Sequence, residues 1–133
     1  MKQVIALSLT AILFVACGKK ENTAEPLYPD TVAEPLSAEE LLVAKGKDLF
    51  NSNKAACYTC HQMDKKVIGP SIKEIAKIYQ EQNGDMVAFL RKQADPIVDP
   101  EQYNVMETNF AVLKTMSDEE LKALEAYMMS TIK

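Results

Sequence analysis

The sequence predicts an all-α domain of about four helices, which follows a short apolar leader and a polar linker. Three Ser-x-x-Glu patterns each stand immediately before or within an apolar stripe of helical spacing, which is typical of a capping box at a helix start. No stretch of useful length alternates apolar and polar residues as a strand does, and no segment repeats. These observations favour helices packed on one another rather than a sheet.

The first predicted helix begins after Ser37 and runs to about Asn51. Ser37 and Glu40 have the spacing of a capping box, in which each side chain bonds to the backbone of the other residue. Gly46 and Phe50 lie one turn apart on the apolar face of this helix. Glycine inside a helix lowers its stability relative to alanine, so Gly46 indicates a close crossing with another helix.

Three more helices are predicted further along the chain. Apolar spacing predicts the second over residues 72–82, behind a capping box that begins at Ser71, and the third over about residues 86–93. Residues 103–110 show no helical pattern and are expected to be irregular. The last helix follows Ser117, which opens the third capping box.

The start of the chain has the pattern of an exported lipoprotein. Residues 1–16 are expected to be a signal peptide, because Lys2 precedes an apolar run that is too short to span a membrane. Cys17 ends a sequence that resembles the bacterial lipobox, so we expect its lipidation to hold the protein on the periplasmic face of a bacterial membrane. Ordinary cleavage nearby would instead leave Cys17 as a free thiol. Residues 17–36 are polar and proline-bearing, which predicts a flexible, disordered tether.

The composition fits one small domain without a nucleic-acid partner. The chain has 133 residues, a length that predicts a single domain. Its formal net charge is −4, and an acidic balance argues against binding to a phosphate backbone. A domain of this size buries a limited share of its surface, so a bound group could supply a substantial part of its core.

The pentapeptide Cys57-Tyr58-Thr59-Cys60-His61 carries the chemistry of the chain. C-x-x-C-H is the attachment signature for c-type haem. Two thiols at this spacing can each add to one haem vinyl group, and the imidazole of the next residue can then bind the iron. A thioredoxin-like redox pair would need a βαβ context, and a zinc site would need a fourth ligand. The sequence therefore predicts one covalently attached haem c, bound by Cys57, Cys60 and His61.

With this motif, the order of several other residues resembles the class I c-type cytochromes, the small monohaem electron carriers. The resemblance covers roughly residues 38–131 and rests further on Gly46, Phe50, Gly69-Pro70, Met106, Leu124 and Tyr127. It implies a cytochrome c domain over residues 37–133, with the helices packed around one haem. It also implies that the glycine lets the terminal helix approach, and that the carbonyl of Pro70 accepts a hydrogen bond from the ring of His61.

The second axial ligand of the iron is predicted to be Met106. His61 is the only histidine, so two histidines of one chain cannot both bind the iron. Of the seven methionines, Met106 lies in the segment predicted to be irregular, whereas the others are cleaved, too close to His61, or assigned to packing. In the resembling family the axial methionine precedes the terminal helix by a short loop. Met116 and an open sixth position are alternatives, because Glu107 stands where many family members have proline.

The resemblance implies an electron-transfer protein rather than an enzyme. Methionine and histidine ligation raises the haem potential, and two filled axial positions exclude small molecules from the iron. We expect a monomeric, membrane-tethered shuttle that takes single electrons from a reductase and passes them to an oxidase or another terminal acceptor of a respiratory chain. The alternatives are a haem enzyme or gas sensor with an open sixth site, and a fixed subunit of a larger oxidoreductase complex.

Overall fold

A computed structural model describes residues 35–133 of the chain. The predicted signal peptide, Cys17 and nearly all of the predicted tether lie outside the described residues. Within residues 35–133 the chain forms six α-helices, two short 3-10 helices and one isolated β-bridge, without a β-strand. The prediction of an all-α fold is confirmed. In this part of the chain, no helix combines the length and the apolar character that a membrane span requires.

The longest helices are the first, the second and the last. The six α-helices are α1 (Ala38–Phe50), α2 (Ile72–Gln82), α3 (Met86–Leu90), α4 (Tyr103–Glu107), α5 (Phe110–Leu113) and α6 (Asp118–Ser130). The two 3-10 helices span Cys57–Thr59 and Pro100–Gln102. The bounds of α1 and α2 and the start of α6 agree with the predicted ones to within a residue.

Serine caps set the starts of these three long helices. The hydroxyls of Ser37 and Ser117 each accept a hydrogen bond of 3.2 Å from the backbone N–H three residues later. The carboxylates of Glu40 and Glu120 accept the return bonds from the cap N–H groups at 2.8 and 2.9 Å, which completes two predicted capping boxes. At the start of α2 only half of the predicted box forms. The hydroxyl of Ser71 caps the helix at 3.2 Å, and the glutamate three residues later does not return a bond within the described part of the chain.

Helix α3 ends at Leu90, three residues before the predicted end at Gln93. Lys92 adopts the left-handed conformation with φ of 60°. The N–H groups of Lys92 and Gln93 bond back to the carbonyls of Phe89 and Ala88, both at 2.8 Å. These two bonds form a Schellman motif, which ends the helix. The sequence does not signal this end, because a lysine occupies the position where glycine or asparagine is usual.

The prediction that residues 103–110 are irregular is wrong. Helix α4 covers most of this segment, and α5 begins at Phe110. Neither helix has a side-chain cap at its start, and they contain only five and four residues. Helices this short show too few turns for apolar spacing to predict them. They raise the number of α-helices in the described residues from the expected four to six.

The crossing of α1 and α6 is the most extensive helix–helix contact in the domain. The two backbones approach so closely at Gly46 that a Cβ atom there would lie 1.8 Å from the carbonyl oxygen of Ala123. One turn later, the rings of Phe50 and Tyr127 meet edge to face with their centroids 5.4 Å apart. The prediction that Gly46 permits a close helix crossing is confirmed.

Candidate haem site

A cavity of about 300 Å³ lies in the core of the domain, with mainly apolar walls. Its volume is at the lower end of the range that is usual for ligand sites. Each of the six α-helices contributes an apolar side chain to the wall, namely Phe50, Ile75, Leu90, Met106, Leu113 and Leu124. The packing of the whole domain therefore converges on this cavity.

The three residues of the C-x-x-C-H motif that carry chemistry lie together on the wall of this cavity. Ala56 takes a left-handed conformation with φ of 50°, and the chain then turns into the 3-10 helix Cys57–Thr59. The N–H groups of Cys60 and His61 both donate to the carbonyl of Cys57, at 3.1 and 3.0 Å. This turn places Cys57, Cys60 and His61 side by side in the lining of one cavity.

The two thiols are free and half-buried. Burial raises the pKa of the Cys57 thiol to about 11, and the neighbouring Cys60 adds to the increase. No group of three or more His, Cys, Asp or Glu side chains within residues 35–133 is arranged to hold a metal ion. A zinc site built from Cys57, Cys60 and His61 is therefore not formed by the described residues.

The loop after the motif holds the imidazole of His61 in place. Its Nδ1 atom lies 2.8 Å from the carbonyl oxygen of Pro70, which is the contact that the resemblance implies. Because a carbonyl can only accept, Nδ1 is the donor in this contact, which leaves Nε2 as the nitrogen that could bind a metal. The N–H of Gly69 donates to the carbonyl of Cys60 at 2.9 Å, which fixes the loop beside the ring. A Cβ atom at Gly69 would lie only 2.5 Å from Cε1 of His61.

Met106 lines the same cavity from α4, whereas Met116 is not part of its wall. Met116 is 2% exposed, and its carbonyl accepts a hydrogen bond of 2.9 Å from the guanidinium of Arg91. Met86 on α3 and Met128 on α6 also line the cavity, although the sequence analysis assigned them to packing alone. Apolar spacing shows that a side chain faces inward, but it does not distinguish packed neighbours from a cavity.

The rest of the wall suits a largely apolar group. Asp99 is its one carboxylate among the described residues, and the ammonium of Lys66 pairs with it at 2.7 Å. Burial raises the pKa of Tyr79 to about 12, so the phenol in the wall is uncharged. Ile68 and Val105 contribute to the wall and are 53% and 46% exposed, so part of the cavity wall faces solvent.

Comparison with known proteins agrees with this geometry. The family model described as Cytochrome c matches residues 43–131, from within α1 to the residue after α6. A search of curated proteins gives no match. Cytochrome c domains bind covalently attached haem c, and a single domain of this size accommodates one haem. The match covers more than half of the chain, and this protein therefore belongs to the cytochrome c family.

Proposed function

We propose that this protein is a membrane-tethered monohaem c-type cytochrome that shuttles single electrons between respiratory redox partners. The observation that carries the proposal is the convergence of both thiols, the imidazole of His61 and the thioether-bearing residue Met106 on one apolar cavity. Haem held there supplies a one-electron couple between Fe(III) and Fe(II). The protein residues supply its attachment, its axial ligands and its surroundings.

Cys57 and Cys60 would attach the haem through two thioether bonds. In each addition the sulfur bonds to one carbon of a vinyl group and the thiol hydrogen goes to the other, so the atoms balance without an oxidant. Both cysteines line the cavity, as does the histidine that follows them in the sequence. Covalent attachment at this wall keeps the cofactor in place through repeated changes of its charge.

His61 and Met106 would supply the two protein ligands of the iron. The hydrogen bond from Nδ1 to the carbonyl of Pro70 sets the tautomer of His61, leaves Nε2 as the nitrogen that could bind the iron, and raises the basicity of the ring. The thioether of Met106 would favour Fe(II), and the apolar wall would act in the same direction. With both ligands in place the iron would have no position for a small molecule, which favours a carrier over an enzyme.

Partner proteins would exchange electrons through the solvent-facing part of the wall. Ile68 and Val105 line the cavity and are about half exposed, so a partner that contacts them comes close to the haem. A reductase would dock there as donor, and an oxidase or another terminal acceptor would dock there in turn. Carriers of this kind use small, transient interfaces, which lets one monomer serve both partners.

Replacing Met106 with leucine tests the axial ligand. We expect Met106→Leu to lose the weak methionine–iron charge-transfer band of the ferric protein, because leucine has no sulfur donor. The haem should stay covalently attached, since Cys57 and Cys60, which form its thioether bonds, are unchanged. The measurement is the visible spectrum, with extraction into acidified organic solvent as the check of covalent attachment.

Met116→Leu, Met86→Leu and Met128→Leu are the matched controls for this experiment, and each should keep the band. Loss of the band in one of them, with retention in Met106→Leu, would reassign the ligand. A ferric parent protein that is high-spin and whose reduced form binds carbon monoxide readily would favour the haem enzyme or gas sensor with an open sixth site.

Replacing Cys17 with serine tests the membrane tether. We expect Cys17→Ser to move from the membrane fraction to the soluble fraction, because serine cannot carry the thioether-linked lipid. The measurement is the distribution of haem absorbance between the two fractions. Retention on the membrane would contradict the lipid anchor. Co-purification of the parent protein with other subunits in mild detergent would favour a fixed subunit over a shuttle.

A further inference from the structure

Helix α4, which carries Met106, is attached to the end of α3 at two points. At the start of α4, the ring of Tyr103 packs against the ring of Phe89, with centroids 6.2 Å apart. At the end of α4, the carboxylate of Glu107 accepts a hydrogen bond of 2.6 Å from the ammonium of Lys92. Met106 lies between these two attachments, next to Glu107 in the sequence and on the wall of the cavity.

The ammonium of Lys92 is itself held in a defined place. Lys92 follows α3 in the left-handed conformation of the Schellman motif, so its backbone is fixed by the bonds that end the helix. Its Nζ atom lies 5.5 Å from the ring centroid of Phe110, the first residue of α5, and is within range of a cation–π interaction. Glu107 and Phe110 therefore bind this ammonium just after Met106 in the chain.

We propose that Lys92 and Glu107 are positioning residues that hold the thioether of Met106 at the iron. The inference rests on the proposed ligation by Met106. Helix α4 has five residues and no side-chain cap, and such a short helix is marginal without tertiary contacts. Release of Glu107 would let the end of α4 fray, and Met106 would leave the iron more often.

The effect should be local, because this ion pair lies at the surface. The side chains of Lys92 and Glu107 are 35% and 48% exposed, and an exposed pair contributes little to global unfolding. Release of Met106 from the iron opens a smaller part of the structure than global unfolding does. Loss of the Lys92–Glu107 contact acts directly on the equilibrium between bound and released Met106. The readout must therefore follow the sixth ligand rather than the melting of the whole domain.

The test is a titration of the ferric holoprotein with imidazole, which competes with Met106 for the iron. We expect Glu107→Gln and Lys92→Met each to lower the apparent Kd for imidazole by up to about fivefold, which is the upper end of the effect of a lost surface pair. The double variant should lower it no further, because both substitutions remove the same contact. The charge-swapped variant K92E/E107K should return the Kd to within about twofold of the parent value.

Glu81→Gln is the matched control. It breaks the exposed ion pair between Lys77 and Glu81 on α2, in which the Nζ and Oε1 atoms are 3.8 Å apart. Neither residue of this pair lines the cavity. We expect this variant to keep the parent Kd for imidazole. The urea midpoints of E107Q and E81Q should fall by similar small amounts, because each variant loses one exposed pair, and only E107Q should lower the Kd.

Three outcomes would contradict the proposal in different ways. An unchanged Kd in E107Q, with a much lower Kd in Met106→Leu, would overturn the positioning role and leave the ligand assignment intact. A parent-like Kd in Met106→Leu would show that Met106 is not the ligand that imidazole displaces. The ligand assignment and the positioning role would then both be wrong. An equal decrease of Kd in E81Q would show that the effect is not specific to the pair beside Met106.

Discussion

Replacing Gly46 with alanine tests the crossing of α1 and α6. A Cβ atom at this position would lie 1.8 Å from the carbonyl oxygen and 2.5 Å from the carbonyl carbon of Ala123, and 2.8 Å from Cβ of Tyr127. A carbon and an oxygen in contact are about 3.3 Å apart, so the two helices would have to separate by about 1.5 Å. Two of these three atoms belong to the backbone, which no change of rotamer can move away.

Two opposing contributions to the free energy of unfolding set the size of the effect of Gly46→Ala. Alanine has a higher helix propensity than glycine, which would stabilise α1 by about 1 kcal/mol. Overpacking costs about 1–3 kcal/mol, and the upper end applies here because the clash is with backbone. The net result for Gly46→Ala is a decrease of about 2 kcal/mol in the free energy of unfolding.

The assay is urea unfolding of the holoprotein, followed by circular dichroism and analysed by linear extrapolation. Ala44→Gly is the matched control, because Ala44 is exposed in the same helix and reports helix propensity alone. The control should lose about 1 kcal/mol. If Gly46→Ala were as stable as the parent protein or more so, helix propensity would outweigh the clash and the reasoning would be refuted.

Two further substitutions test the histidine loop and a helix cap. Gly69→Ala should displace the ring of His61, because the Cβ atom of the new alanine would lie 2.5 Å from Cε1 of that ring. We expect a shifted reduction potential of the haem. An unchanged potential would contradict the contact. The pKa of Glu120 is lowered first by its hydrogen bond with Lys54 and then by the cap of Ser117. Its contribution to stability is therefore present above its ordinary pKa and is lost as the pH falls through the lowered pKa. Glu120→Gln should lose less stability than the parent between about pH 5 and pH 3, whereas parallel stability curves would argue against this role.

Local chemical signals explain why the long helices could be predicted from the sequence. Ser37, Ser71 and Ser117 each satisfy a backbone N–H of the next turn, and this chemistry depends on neighbours in the sequence. The end of α3 depends instead on the left-handed conformation of Lys92, for which lysine has no preference. Helices α4 and α5 have no caps and form in contact with the rest of the domain, so the sequence did not predict them.

The part of the candidate site that depends on a local sequence signal was also predictable. The C-x-x-C-H motif is contiguous, so it indicates the cofactor and the position of its attachment without knowledge of the fold. The cavity is assembled from all six helices, and its lining by Met86 and Met128 follows from their tertiary positions. The roles proposed for Met106 and Cys17 stay predictions until the experiments above are done.

The crossing of α1 and α6 also joins the two ends of the domain. The C-x-x-C-H segment lies between these two helices in the chain, and Leu124 of α6 forms part of the cavity wall. Without α6, the close approach at Gly46 would be lost and the wall would be incomplete. Closure of the domain and enclosure of its functional residues therefore depend on the same helix pair.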